Sequence, residues 1–286
     1  MLFKRTKRHP ATGNGRQPFE VVASVQSDRG CVREANEDTG RFFRPSDPAL
    51  LARRGILTIV ADGMGGHLGG EVASKLAVET IGRVYYQARD SAAAALKEAF
   101  EEASQRIYEA SLQDENLQGM GTTCTALALL DNLALAAHVG DSRLYLRRES
   151  EVYLMTEDHS AVMEMVRQGV ISQQEARHHA DKNVILRALG TGPQVEVSIW
   201  EKPLTVRAGD QFILCSDGLY DMVEDAEINQ VLSAADDPHA ACEQLIALAK
   251  ERGGHDNITV GVISINHAGR ENSRRPRTTR ELEAAE

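Results

Sequence analysis

Four apolar runs in this chain meet an aspartate at one end. TIVA leads into Asp62, AAHVG into Asp141 and FILCS into Asp217, while Asp256 opens NITVGV. Runs of this length and composition read as buried strands, so each carboxylate stands where a strand leaves the core. Taken singly, such an aspartate is an ordinary turn residue or cap. Several together constrain the fold more. If the strand ends converge, like charges repel unless a cation lies among them. Hard divalent cations such as Mg2+ or Mn2+ take oxygen ligands. The pattern therefore suggests a carboxylate-built metal centre, and the convergence itself is for the fold to decide.

A second acidic cluster lies in SDRGCVREANEDTG, Ser27 to Gly40, where Glu37 and Asp38 are adjacent and Arg33 is just upstream. A forked, permanently charged guanidinium beside a metal site suits phosphate oxygens. The plainer reading of Arg33 is a surface ion pair.

The four cysteines, Cys31, Cys124, Cys215 and Cys242, form no CxxC pair and no zinc-type cluster. They read as reduced thiols, two of them inside apolar runs. A net charge of −10 argues against general nucleic-acid binding. The basic N-terminus lacks the apolar stretch of a secretory signal, and no run is long enough to span a bilayer. We expect a soluble, cytoplasmic monomer.

Between a basic tail over 1–18 and a charged tail over 267–286, strands and helices interleave. Phe19 to Val25 alternates at period two, and Ile56 to Asp62 is a short buried run. Ala73, Leu76, Ala77, Thr80, Ile81 and Val84 predict an amphipathic helix, and Leu96 to Ala110 a second. TTCTALALL, LALAAHVG and SRLYLRR predict a meander. Ser160 to about His179 reads as polar helix and Gln211 to Asp217 as a strand. A last helix starts at Asp237-Pro238 and stops at Gly253-Gly254. Asn257 to Ile265 closes the domain as a strand. Hairpin strands with two long adjacent helices suggest an α+β sandwich, not a parallel sheet.

In order along the chain stand SDRGCVREANED, VADGMGGHLGGEVAS, MGTTCTALAL, HVGDSRLYL, TEDHS, NVILRALG, LCSDGLYDMV and GGHDNITV. Together these segments resemble the PPM (PP2C-type) metal-dependent protein phosphatases, in detail the bacterial Ser/Thr branch, over about Ser24 to Ile263. The resemblance implies a four-layer α-β-β-α sandwich of two antiparallel sheets flanked by helices, occupying 19–266, with a flap over about 165–189. It implies two divalent ions, Mn2+ or Mg2+. Asp62 would bridge them, with the Gly63 carbonyl on one and Asp217 and Asp256 on the other. Asp38 and Glu37 would hold metal-bound waters, Arg33 the substrate phosphate, and Asn257 would orient Asp256. A third, looser ion of bacterial members would fall to Asp141, shared with Asp217.

The implied reaction is hydrolysis of phosphoserine and phosphothreonine by in-line attack of a hydroxide shared between the ions. The implied partners are phosphoproteins, among them a Ser/Thr kinase that the enzyme opposes, and its targets. Gly63, Gly65 and Gly66 would let the backbone turn so that a carbonyl faces the metal. Two departures stand out. Animal relatives carry a histidine after the bridging Asp-Gly pair where this chain has Met64; His67 is not assigned that role, and the general acid is left open. Relatives also commonly have proline and arginine near the positions of Ala180 and Lys182.

Two rival readings are weaker. A nucleotide-binding loop at ILTIVAD-GMGG fails on spacing, since no GxxxxGK[ST] occurs and GMGGHL lacks the last glycine of GxGxxG. A binding module with a degenerate phosphatase fold would lose metal-ligand acids, and Asp38, Asp62, Asp217 and Asp256 are all present. Thr278 and Thr279, among arginines, are candidate phosphorylation sites.

Overall fold

The strand ILTIVA has no polar face to offer water, and it lies at the centre of the molecule. Leu57, Ile59 and Ala61 point to one side and Ile56 and Val60 to the other, all 0–1% exposed. A strand buried on both faces reads as a continuous apolar run, and this one belongs to the inner layers of a four-layer stack. The computed structural model describes residues 19–65 and 68–267. The two tails, Thr278 and Thr279, and the pair Gly66 and His67 lie outside the described residues, apart from His267.

The first third of the chain comprises β1 (Phe19–Asp28), β2 (Asp38–Phe43), α1 (Pro48–Arg54), β3 (Ile56–Met64), α2 (Gly69–Gln87) and α3 (Ala92–Gln113). The meander follows as β4 (Gly121–Thr122), β5 (Cys124–Leu130), β6 (Leu133–Val139), β7 (Arg143–Arg148) and β8 (Glu151–Leu154). Then come α4 (Ala161–Arg167), α5 (Gln173–Ala176), β9 (Ser198–Ile199), β10 (Leu204–Thr205) and β11 (Gln211–Cys215). The chain closes with α6 (Asp217–Tyr220), α7 (Asp225–Ala234), α8 (Pro238–Glu251) and β12 (Ile258–His267).

The strands form two antiparallel sheets. One runs β1-β12-β11-β7-β8; the other runs β10-β6-β5-β3-β2, with β4 on β3 and β9 on β6. Between the sheets lie Val60, Leu127, Leu144, Phe212, Leu214 and Ile263. The outer face of the second sheet packs on α2 and α3 through Ala77, Ile81, Leu96 and Phe100. The outer face of the first packs on α7 and α8 through Ile213, Cys215, Ile228 and Leu245. This is the expected α-β-β-α sandwich.

Some boundaries differ from expectation. The single polar helix expected over Ser160 to His179 is two short ones, because Gly169 sits at φ 71° and Ser172 starts a new helix in a capping box with Glu175. β12 runs on through His267, which pairs with Phe19, one residue beyond the expected boundary. Asp217, read as the end of a strand, opens α6 instead.

Candidate metal centre

The registers place the acidic residues. In β2 and β3, Asp38 lies directly opposite Asp62. In the other sheet Cys215 of β11 faces Arg143 of β7 on one side and Val260 of β12 on the other. Asp217, Asp141 and Asp256 each lie two residues beyond a strand end in that sheet, at neighbouring positions. A hydrogen bond joins the two sets across the sandwich: Ser216 Oγ donates to Asp38 Oδ2 at 2.7 Å, and Ser216 Oγ accepts from Thr259 N–H at 3.0 Å. The strand ends therefore converge on one edge.

Each side chain is held by its neighbours. The Asp62 backbone is fixed by the Thr-Thr pair that starts the meander. Thr123 N–H and Thr122 Oγ1 both donate to its carbonyl at 2.8 Å, and Asp62 N–H donates to Thr123 Oγ1 at 3.1 Å. Gly63 is required by a close approach: a Cβ there would stand 2.1 Å from the Gly70 carbonyl oxygen and 2.5 Å from that of Glu37. That contact sets the start of α2 against the end of β3.

Asn257 ties the Arg33 loop to β12. Its Oδ1 accepts from Glu37 N–H at 2.7 Å, its Nδ2 donates to the carbonyls of Arg29 and Ala35 at 3.0 and 2.9 Å, and its own N–H holds Asp256 Oδ1 at 2.8 Å. The expected link to Asp256 is thus a backbone one, and the side chain positions the loop. Glu37 sits against the start of α2, with its carboxylate packed beside Gly70. Arg33, half-exposed, donates from Nη2 to Asp256 Oδ2 at 2.7 Å. So Arg33 does form an ion pair, and its partner is one of the clustered aspartates.

The charges do not balance. Asp38 and Asp141 are buried, at 7% and 4% exposed. Asp62 and Asp217 are half-buried. Burial, then the charges of Asp38, Asp217 and Asp141, push the Asp62 carboxyl well above the usual carboxylate range. Burial, then Asp141 and Asp256, do the same to Asp217. Burial pushes Asp38 up to about 6, and burial with Asp158 pushes Asp141 up to about 7. One oxygen each of Asp38, Asp141 and Asp217 is buried with no hydrogen-bond donor. Such groups ordinarily find a partner.

Oxygen-only donors, excess negative charge and orphaned carboxylate oxygens fit hard divalent cations. Among the described residues no three Asp, Glu, His or Cys side chains form a ready-made cage for an ion. The donors therefore fit ions whose shells are completed by carbonyl oxygen and water, as that of Mg2+ is.

A family model described as protein phosphatase 2C matches residues 48–251. The chain belongs to the protein phosphatase 2C family. It is 36% identical over 249 residues to the Listeria innocua serine/threonine phosphatase stp, covering 85% of this chain and 96% of that one. The Mycobacterium tuberculosis serine/threonine phosphatase PstP superposes with a TM-score of 0.77 at 35% identity, covering 86% of this chain and 99% of that one. The catalytic domain of PstP in complex with two manganese ions superposes with a TM-score of 0.73 at 34% identity, over 87% and 99% of the two chains. Dependence on a divalent metal follows for the family fold.

Sequence reasoning took Thr122 and Thr123 only as the start of the meander and passed over the hydroxyl of Ser216, which donates to Asp38. Their signal was visible, since TT follows Gly121 and Ser216 adjoins Asp217, but a hydroxyl carries no charge pattern to mark it.

Proposed function

We propose that this chain is a metal-dependent serine/threonine phosphoprotein phosphatase acting in the cytoplasm against a Ser/Thr protein kinase and its targets. The observation that carries the reading is the set of partnerless carboxylate oxygens at one sandwich edge, with an arginine at its mouth. Asp62, the Gly63 carbonyl, Asp217 and Asp256 are our ligands for two ions, with Asp141 and Asp217 for a third. Mn2+ and Mg2+ both suit the donor set. Bound divalent ions acidify water and neutralise phosphate charge.

The chain itself supplies the rest. Arg33 grips the non-bridging oxygens of the phosphate, and its tether to Asp256 keeps the guanidinium at the cleft before substrate arrives. Hydrogen bonds from Thr122, Thr123, Ser216 and Asn257 hold the acidic edge rigid, so orientation is set in advance. Asp38 and Glu37 flank Asp62 and orient water. Met64 has no titratable proton, so the leaving serine or threonine oxygen does not take its proton there.

Residues 165–189 form the flap in this reading. Ser160 bridges Ile185 and Thr122 bridges Leu189, which roots the segment beside Asp62. Lys182 pairs with Asp221 and Arg177 with Glu224, holding it against α6 and α7. A cavity of about 390 Å3 lined by Asp141, Met163, Arg177, Lys182 and Tyr220 lies beneath it, with room for substrate side chains.

The test is hydrolysis of a phosphothreonine peptide with and without Mn2+. Turnover that appears with the ion, vanishes with EDTA and returns on re-addition supports the reading. No turnover at any concentration of Mn2+ or Mg2+ favours a phosphoprotein-binding module.

A further inference from the structure

Asp141 and Asp217 leave adjacent strands, carry one partnerless oxygen each, and repel one another. Something must hold the two loops at a fixed separation. The guanidinium of Arg143 lies between Tyr220 of α6 and Asp158, in the segment after β8. Its Nε donates to both carboxylate oxygens of Asp158 at 3.1 Å, its Nη2 to Asp158 Oδ2 at 2.7 Å, and its Nη1 to Tyr145 Oη at 3.2 Å. Its plane stacks on Tyr220, 3.7 Å from the ring centroid. The pair is buried, with side chains 15% and 6% exposed.

Both ends of this clamp reach an aspartate. Tyr220 is on α6, the short helix that Asp217 begins. Asp158 adjoins His159, whose N–H donates to the Gly140 carbonyl at 2.7 Å and whose Nδ1 accepts from Gly140 N–H at 3.1 Å. Gly140 immediately precedes Asp141. One cation thus ties the Asp217 loop, through an aromatic face, to the Asp141 loop, through Asp158 and His159. Arg33 sits half-exposed in the cleft; Arg143 lines the cavity below the flap, with its fork taken by Asp158 and Tyr145 and its face by Tyr220.

We propose that Arg143 is a positioning residue that fixes the separation of Asp141 and Asp217 and thereby the affinity of the metal site they share. The proposal rests on the reading of those two aspartates as ligands of one ion. A lysine keeps the charge but has neither the fork nor the flat face, so Arg143→Lys loses the clamp. Partners that orient metal ligands are worth about ten- to a hundredfold in metal affinity.

The experiment is Mn2+ titration of the whole chain, with free ion followed by electron paramagnetic resonance, for wild type, Asp141→Asn, Arg143→Lys and Tyr220→Leu. Asp141→Asn identifies which class of bound ion depends on Asp141. Arg143→Lys should weaken that same class at least about tenfold, and Tyr220→Leu should weaken it in the same direction while keeping the arginine. Thermal unfolding in EDTA runs alongside, because a purely structural arginine lowers the melting temperature and leaves the isotherm in place. If Asp141→Asn removes an ion class that Arg143→Lys leaves at wild-type affinity, the proposal is overturned and the metal reading stands. If Asp141→Asn removes no class, the reading of Asp141 fails and takes the proposal with it.

Discussion

Asp62 owes its position to its backbone and its chemistry to its neighbours. Three hydrogen bonds with one threonine pair fix the strand end, and the opposed Asp38 forbids two bare charges there. Removing one charge should therefore abolish turnover without harming the fold. Asp62→Asn and Asp217→Asn are each expected to lower kcat by at least about a hundredfold, with unchanged circular dichroism. In EDTA each should melt no lower than wild type, since a repulsion has gone. Near-normal kcat in either variant would refute its assignment. Arg33 holds substrate and no metal in this account, so Arg33→Ala should cost roughly ten- to a hundredfold in kcat/KM, chiefly through KM. An unchanged kcat/KM would remove its phosphate role.

At the scale of elements, the contact between the end of β3 and the start of α2 is the most demanding. Gly63→Ala puts a methyl 2.1 Å from the Gly70 carbonyl oxygen, whereas at Gly192 the nearest atom to a new Cβ is 3.9 Å away. Overpacking of this kind costs about 1–3 kcal/mol. Gly63→Ala should lower both the melting temperature and the activity, and Gly192→Ala should change neither. Equal effects would mean that α2 tolerates displacement.

Much of this level could be read from the sequence. The stripe through Ala73, Ala77 and Ile81, the run ILTIVA and the Asp237-Pro238 start of α8 each announced their element through periodicity or capping chemistry. The short elements did not: α5 is 4 residues and β9 and β10 are 2 residues each, too brief for any period to show. The acids of the site were visible as strand-end aspartates. Their convergence was not, because it depends on which strands pair, and the hydroxyls that brace them gave no pattern at all. The resemblance to the phosphatase family, not periodicity, assigned roles to individual residues.

For the whole molecule, the clustered carboxylates make stability depend on pH and on metal together. Their folded pKa values are raised, so their contribution is fully present below the ordinary carboxylate range and is lost as pH rises through the folded values. Those values run from about 6 for Asp38 and about 7 for Asp141 upward. Two histidines, His138 buried and His159 half-buried, work in the opposite sense. Burial lowers His138 to about 3 and His159 to about 4, so their contribution is present at neutral pH and falls away in acid, starting near pH 6.5. Above pH 6.5 the carboxylates act alone. Protein in EDTA should therefore lose melting temperature between pH 6.5 and 8, by at least about 2–4 °C if roughly 1 kcal/mol is involved. Saturating Mn2+ should raise the melting temperature most at the upper end of that range, because ion binding stabilises the ionised form. A melting temperature that rises with pH in EDTA would contradict the excess of negative charge.

The most direct measurement is anomalous diffraction at the manganese edge from crystals grown with Mn2+. The account predicts two strong peaks flanking the Asp62 carboxylate, one of them also within ligand distance of Asp217 and Asp256, at the oxygen–metal separations of hard divalent ions. Peaks confined to other parts of the surface, or no peak at this edge with Mn2+ in excess, would contradict it.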